Sequence, residues 1–106
     1  PAIGLNLDTG NSWLGGSDPV EIAKKFKDKI HHIHWKDLGE DWLPKRGKQF
    51  GAGFSPIAMG DGIIDIKGVC DVLKDAGIES STLEIVGDDE IFHKSVEFLR
   101  SCGVSF

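Results

Sequence analysis

The chain is short of several things, and each shortage excludes a class of protein. Only two of its 106 residues are cysteine, Cys70 and Cys102, with no Cys-x-x-C pair and no third thiol. A disulfide framework and a sulfur-rich structural metal site are therefore excluded, and both thiols read as small core residues on helices. No apolar run approaches the roughly 18 residues of a membrane-spanning helix. Pro1 to Asp8 also lack the charged start and apolar centre of a signal peptide, so the expected location is the cytoplasm. Twelve Lys and Arg stand against seventeen Asp and Glu, for a net charge of −5, and no long basic run occurs. A nucleic-acid backbone is a poor main partner for such a chain, because phosphate neutralisation needs clustered cations. A Gly-x-Gly-x-x-Gly turn between strand and helix is missing too; Gly51 and Gly53 fall inside a long loop. The single Met is not at the start, since the chain opens on Pro1 and runs straight into apolar residues, and a preceding part is expected.

What is present is a pattern of alternating elements. Ile3 to Leu7 reads as a short buried strand that stops at Asp8-Thr9-Gly10-Asn11. Ser17-Asp18-Pro19 is a helix start, a capping side chain ahead of a proline, followed by apolar Pro19, Ile22, Ala23 and Phe26 at helical spacing. Ile30 to Trp35 predicts a second strand, ending in polar Lys36-Asp37. Residues 38–59 show no helical or strand period, and a loop of that length inside a compact domain is usually functional or disordered. Asp65 predicts the N-cap of a helix carrying Ile66, Val69, Cys70 and Leu73, with Gly77 as its left-handed end. Ser81 to Val86 predicts a third strand, and Asp88 or Asp89 opens a last helix with Phe92, Val96 and Leu99 on its core face, ended by Gly103.

Strand and helix thus alternate three times, which favours a parallel sheet covered by helices. At roughly 31 residues per strand–helix unit of a (β/α)8 barrel, the chain holds about three units and one long loop. Three strands cannot close a barrel, and an open three-stranded sheet has bare edges. The expectation is three consecutive β/α units, with the edges covered by an absent amino-terminal barrel half or by another copy of the chain.

In parallel α/β folds the chemistry gathers at the carboxyl ends of the strands. Asp8, His34 and Glu84 stand at or near those ends on three successive strands. Two carboxylates and an imidazole suit a divalent ion, Mn²⁺, Mg²⁺, Co²⁺ or Zn²⁺. Singly, each has a plainer role: a turn cap, an interior histidine, a lysine partner. Period two separates the histidines: His32 and His34 share a face, His31 points the other way, and His32 lies one layer deeper, suited to a structural hydrogen bond.

Leu7-Asp8-Thr9-Gly10-Asn11, His32-Ile33-His34-Trp35-Lys36-Asp37, Gly60-Asp61-Gly62-Ile63-Ile64-Asp65 and Leu83-Glu84-Ile85 resemble, in that order, the carboxyl-terminal part of the xylose-isomerase-like TIM barrels. That superfamily of sugar (phosphate) isomerases and epimerases also includes inosose dehydratases and endonuclease IV. The resemblance covers residues 1–106 as a partial barrel domain and implies that its strands are the sixth to eighth. It further implies that Asp8, His34 and Glu84 are metal ligands, Mn²⁺ being the first choice, and that one more ligand, a glutamate, lies on an earlier strand. Asn11 departs from the histidine common there; an amide hydrogen-bonds a hydroxyl but transfers no proton near neutral pH. The Asp-x-His of the multi-zinc nuclease branch is not found between Asp37 and Gly60, which argues with the acidic charge against DNA cleavage.

The resemblance implies proton transfer beside a carbonyl in a sugar or polyol, through an enediolate-like intermediate, with Glu84 as ligand and acid/base. Lys36 is placed to meet a substrate oxygen, a salt bridge to Asp37 or another acid being its plainer role. Asn11, Trp13 and His32 complete the expected substrate contacts, with Trp35 and Trp42 as further indoles near the strand ends. Lys45, Arg46 and Lys48 suit a phosphate or a solvated patch. An inosose-dehydratase-like lyase and a catalytically incompetent fragment are the alternatives. An aspartic protease, suggested by Asp8-Thr9-Gly10, conflicts with three capped amphipathic helices.

Overall fold

A computed structural model describes residues 5–48, 54–76, 78 and 80–104. Three strands, β1 (Leu5–Asp8), β2 (Ile30–Trp35) and β3 (Ser80–Leu83), form a parallel sheet in the order β1-β2-β3. Four helices are interleaved: α1 (Thr9–Leu14), α2 (Pro19–Phe26), α3 (Ile66–Leu73) and α4 (Asp89–Ser101). Short 3₁₀ segments occupy Lys27–Lys29 and Glu40–Lys45. No helix is long and apolar enough to cross a membrane among the described residues.

The helix starts follow the capping logic of the sequence. Asp18 accepts from Val20 N, Asp65 from Gly68 N and Asp88 from Ile91 N, each satisfying an N–H that the helix cannot. Pro19 sits in the first turn of α2, where a missing N–H costs nothing. The apolar stripe of α3, Ile66, Val69, Cys70 and Leu73, is buried as its spacing requires. It packs with Ala23 of α2, with Leu7, Ile33 and Trp35 of the sheet and with Leu99 of α4. Burying a side chain such as Leu7 or Ile33 contributes roughly 1.5–3 kcal/mol.

Four expectations change. The connection after Asp8 holds an unexpected helix: Asp8 caps α1, whose six residues are too few to show a hydrophobic period. The third strand ends at Leu83 rather than Val86; Glu84 N still donates to Trp35 O at 2.9 Å, and the chain then leaves the sheet through Gly87 at φ +142°. Phe92 is 46% exposed, and Ser95 takes the buried place on α4, its hydroxyl accepting from Met59 N at 3.0 Å and donating to Ile91 O at 2.8 Å. Glu40–Lys45 forms a 3₁₀ segment inside the supposedly featureless loop. The expected strand start at Ile3, the cap at Gly77, and Gly51 and Gly53 lie outside the described residues.

Candidate functional site

Strand register brings the polar residues together. Asp8 pairs with His34 across β1 and β2, and His34 with Thr82 across β2 and β3. Trp35 pairs with Leu83, so one step further along the sheet Lys36 and Glu84 stand beside each other on the same face as His34. Ligand atoms of Asp8, His34 and Glu84 lie within 4.8 Å of one another, and all three side chains are half-buried. His34 Nδ1 is in direct contact with Glu84 Oε1.

Lys36 threads into this group. Its side chain is almost fully buried, and its ammonium lies 3.2 Å from Glu84 Oε2, 3.3 Å from Asn11 Oδ1 and 3.9 Å from Asp8 Oδ2. An ammonium taken so far out of water needs such acceptors, since an unpaired buried charge costs several kcal/mol. The methylene stem passes over Gly10, where a Cβ would fall 2.5 Å from Lys36 Cδ; the glycine of Asp-Thr-Gly is the space Lys36 needs. Thr9 locks the same junction from below. Its hydroxyl donates to Lys36 O at 2.6 Å and accepts from Lys36 N at 2.9 Å, tying the start of α1 to the end of β2. Asp8 meanwhile accepts from Asn11 N at 2.8 Å, so one carboxylate both caps α1 and faces the cluster.

Burial pushes the Glu84 carboxyl up, but the hydrogen bonds from His34 and Lys36 and their charges outweigh it, holding the group below the usual carboxylate range. It is ionised near neutral pH. The donor set fits a divalent cation: two carboxylates and one imidazole, converging from three strand ends with no thiol among them. Asp8, His34 and Glu84 could hold such an ion.

The other expected residues divide. Asn11 joins the cluster through Lys36. His32 lies one layer deeper, its ring nitrogens bonded to the hydroxyls of Ser80 and Thr82 and its ring edge-on to His34 at 4.9 Å. Trp13 is 7% exposed and packed in the core beneath the Arg46 guanidinium, and Trp35 is 2% exposed on the opposite face of the sheet. Trp42 donates its indole N–H to Phe54 O at 3.1 Å. Arg46 donates to Trp13 O and Ser17 O, and Lys45 lies over Trp42, so both basic side chains already have partners in the loop layer.

Two residues of the site region carried no clear sequence signal. Asp37 is not the partner of Lys36; it turns away and accepts from the N–H groups of Leu38, Gly60, Gly62 and Ile64 at 2.9–3.2 Å. Burial pushes its carboxyl above the usual range despite those four donors. Gly60, at φ +93°, supplies the left-handed turn that lets the Gly-Asp-Gly segment wrap around that carboxylate. Phe54 presents its ring to the Lys36 ammonium at 4.3 Å from the centroid. A cavity of about 350 Å³ lies on the opposite face of the sheet, lined by Ile33, Trp35, Cys70 and Cys102 among others, and includes none of Asp8, His34 and Glu84.

The family model described as "Xylose isomerase-like TIM barrel" matches residues 1–102. An inosose dehydratase of Lacticaseibacillus casei is 32% identical over 83 residues, covering 73% of this chain and 28% of that protein. The inosose dehydratase of Halalkalibacterium halodurans is 36% identical over 78 residues, 67% of this chain and 25% of that protein. That of Clostridium beijerinckii is 30% identical over 100 residues, 89% and 34% respectively. The chain therefore spans roughly a quarter to a third of the length of the curated relatives it matches.

Proposed function

Because the chain belongs to the xylose isomerase-like TIM-barrel family, we propose that residues 1–106 are the sixth to eighth strand–helix units of a (β/α)8 barrel. On this reading they supply part of a divalent-metal site for sugar or polyol chemistry. The observation that carries the reading is the convergence of Asp8, His34 and Glu84 within 4.8 Å at three adjacent strand ends. Among the described residues β1 and β3 each pair on one side only, which suits further strands or a partner copy at both edges.

Asp8, His34 and Glu84 would hold the ion, Mn²⁺ first among Mg²⁺, Co²⁺ and Zn²⁺, and when bound it polarises a carbonyl and lowers the energy of negative charge on oxygen. Glu84, ionised near neutral pH, takes the proton from the carbon beside the substrate carbonyl. Lys36 donates a hydrogen bond to the oxygen on which charge gathers in the enediolate-like state. Asn11 holds Lys36 and offers an amide to a hydroxyl. Return of the proton to carbon gives isomerisation or epimerisation.

A second reading, a dehydratase, is suggested by the relatives named inosose dehydratase. The same proton removal is then followed by departure of the neighbouring hydroxyl as water. Incubating the intact protein and Mn²⁺ with ketoses, sugar phosphates and cyclitol ketones in deuterated water separates the two. Isomerisation shows solvent deuterium on carbon; dehydration shows a product lighter by one water. Glu84→Gln is expected to reduce either activity by about 10²- to 10⁴-fold. Unimpaired turnover by that variant would remove Glu84 from the mechanism, and no conversion of any sugar or cyclitol would overturn the proposed activity.

A further inference from the structure

Three indoles stand near the strand ends in sequence, yet none presents a free ring to the site: Trp13 and Trp35 are core residues and Trp42 is tied to the backbone of Phe54. Among the described residues, Phe54 is the Phe or Trp whose ring reaches the Lys36 ammonium of the cluster. Its centroid lies 4.3 Å from Lys36 Nζ, inside the range at which a ring face attracts a cation, and the residue is 46% exposed. The ring is a fourth neighbour of this buried ammonium, beside Glu84, Asn11 and Asp8.

The ring is also held in place. Phe54 O accepts from Trp42 Nε1, and the neighbouring Ser55 is buried, its Oγ accepting from Gly39 N at 2.9 Å. The loop after β2 is thereby bolted at both ends of the Phe54-Ser55 pair to the segment that begins at Gly39. Lys36 has four rotatable side-chain bonds and loses them only if something stops its far end. Three polar contacts direct the ammonium toward the carboxylates; the aromatic face opposes its retreat into solvent.

We propose that Phe54 is a positioning residue: its ring fixes the Lys36 ammonium against Asp8 and Glu84 and thereby sets how well the site takes a polyhydroxylated substrate at the oxygen facing Lys36. The inference rests on the reading above for its substrate class, but the clamp itself is a property of this chain. A branched aliphatic residue at position 54 would fill space without attracting the cation.

The test uses the intact protein with Phe54→Leu, which keeps an apolar side chain, and Phe54→Trp, which keeps a π face. In wild type the Lys36 ε-methylene resonances are expected to show an upfield ring-current shift, lost in Phe54→Leu and retained in Phe54→Trp. The same pair is expected to separate in turnover, with kcat/KM lowered about 2- to 30-fold by leucine and restored by tryptophan. Thermal midpoints check that both variants fold. Absence of the shift in wild type, or its survival in Phe54→Leu, overturns the clamp. Loss of the shift with unchanged kcat/KM overturns its part in substrate handling. A wild-type protein that shows the shift but converts no sugar or cyclitol retires the sugar reading and leaves the clamp standing.

Discussion

The two faces of the sheet obey opposite rules although they share the same strands. Leu7, Ile33 and Trp35 point into the helix layer and are at most 4% exposed. Asp8, His32, His34 and Glu84, carried by alternate positions of β1 and β2 and by the residue after β3, are half-buried on the other face. One face is closed by α2, α3 and α4 over the apolar core; the other gathers the charged cluster of Asp8, His34 and Glu84. Strand β2 makes the contrast within six residues, since Ile33 and Trp35 face the core while His32 and His34 face the cluster. Fold and site are separable in this chain because side chains alternate with period two.

That separation can be broken experimentally. The largest effect is expected on the apolar face, where Ile33→Ala costs about 2–5 kcal/mol by leaving a cavity. Glu84→Gln on the polar face is expected to cost less, about 1–2 kcal/mol, because the amide oxygen still accepts from the buried Lys36 ammonium while the charge is lost. Urea unfolding compares them, and a Glu84→Gln loss as large as that of Ile33→Ala would show that the polar face also holds the fold together. Thr9→Val tests the junction between the faces. It keeps the shape but removes both hydroxyl contacts to Lys36, so a loss of about 1–3 kcal/mol is expected, the buried Lys36 N–H being left unpaired. A Thr9→Val protein as stable as wild type would make that clasp energetically idle.

The smallest expected effect is a titration. Asp37 is buried, and its pKa lies above the ordinary 3.8. Between 3.8 and that raised value the folded chain holds a proton that the unfolded chain has released. The Asp37 contribution to stability therefore falls as pH rises through this window and is constant above it. The Asp37 carboxyl carbon followed by NMR should titrate above 3.8; a midpoint below it would mean that the four N–H donors outweigh burial.

Much of the site is legible in the sequence because the strand ends are. Asp8, His34 and Glu84 follow from three strands of known direction, and the choice of His34 over His31 follows from parity alone. Sequence could not show Asp37 at work, since it sits beside Lys36 in the chain and points to the other side of it, where three of its four N–H donors arrive from a segment more than twenty residues on. Trp13 was expected at the site because it follows the strand end, but α1 turns its ring into the core. Phe54 gave no signal because its loop has no period; its place depends on bonds from Trp42 and Gly39. The 3₁₀ segment and α1 are too short for hydrophobic spacing to register.

Lys36 and Asp37 form a joint with two outputs, one residue feeding the charged cluster and the next gathering the Gly60–Ile64 segment. Deleting or inserting a single residue between His34 and Asp37 would exchange their directions, aiming a carboxylate at Asp8 and Glu84 and an ammonium at four N–H donors. The loop downstream can change length at modest entropic expense. Natural or engineered length variation is therefore expected to begin after residue 38.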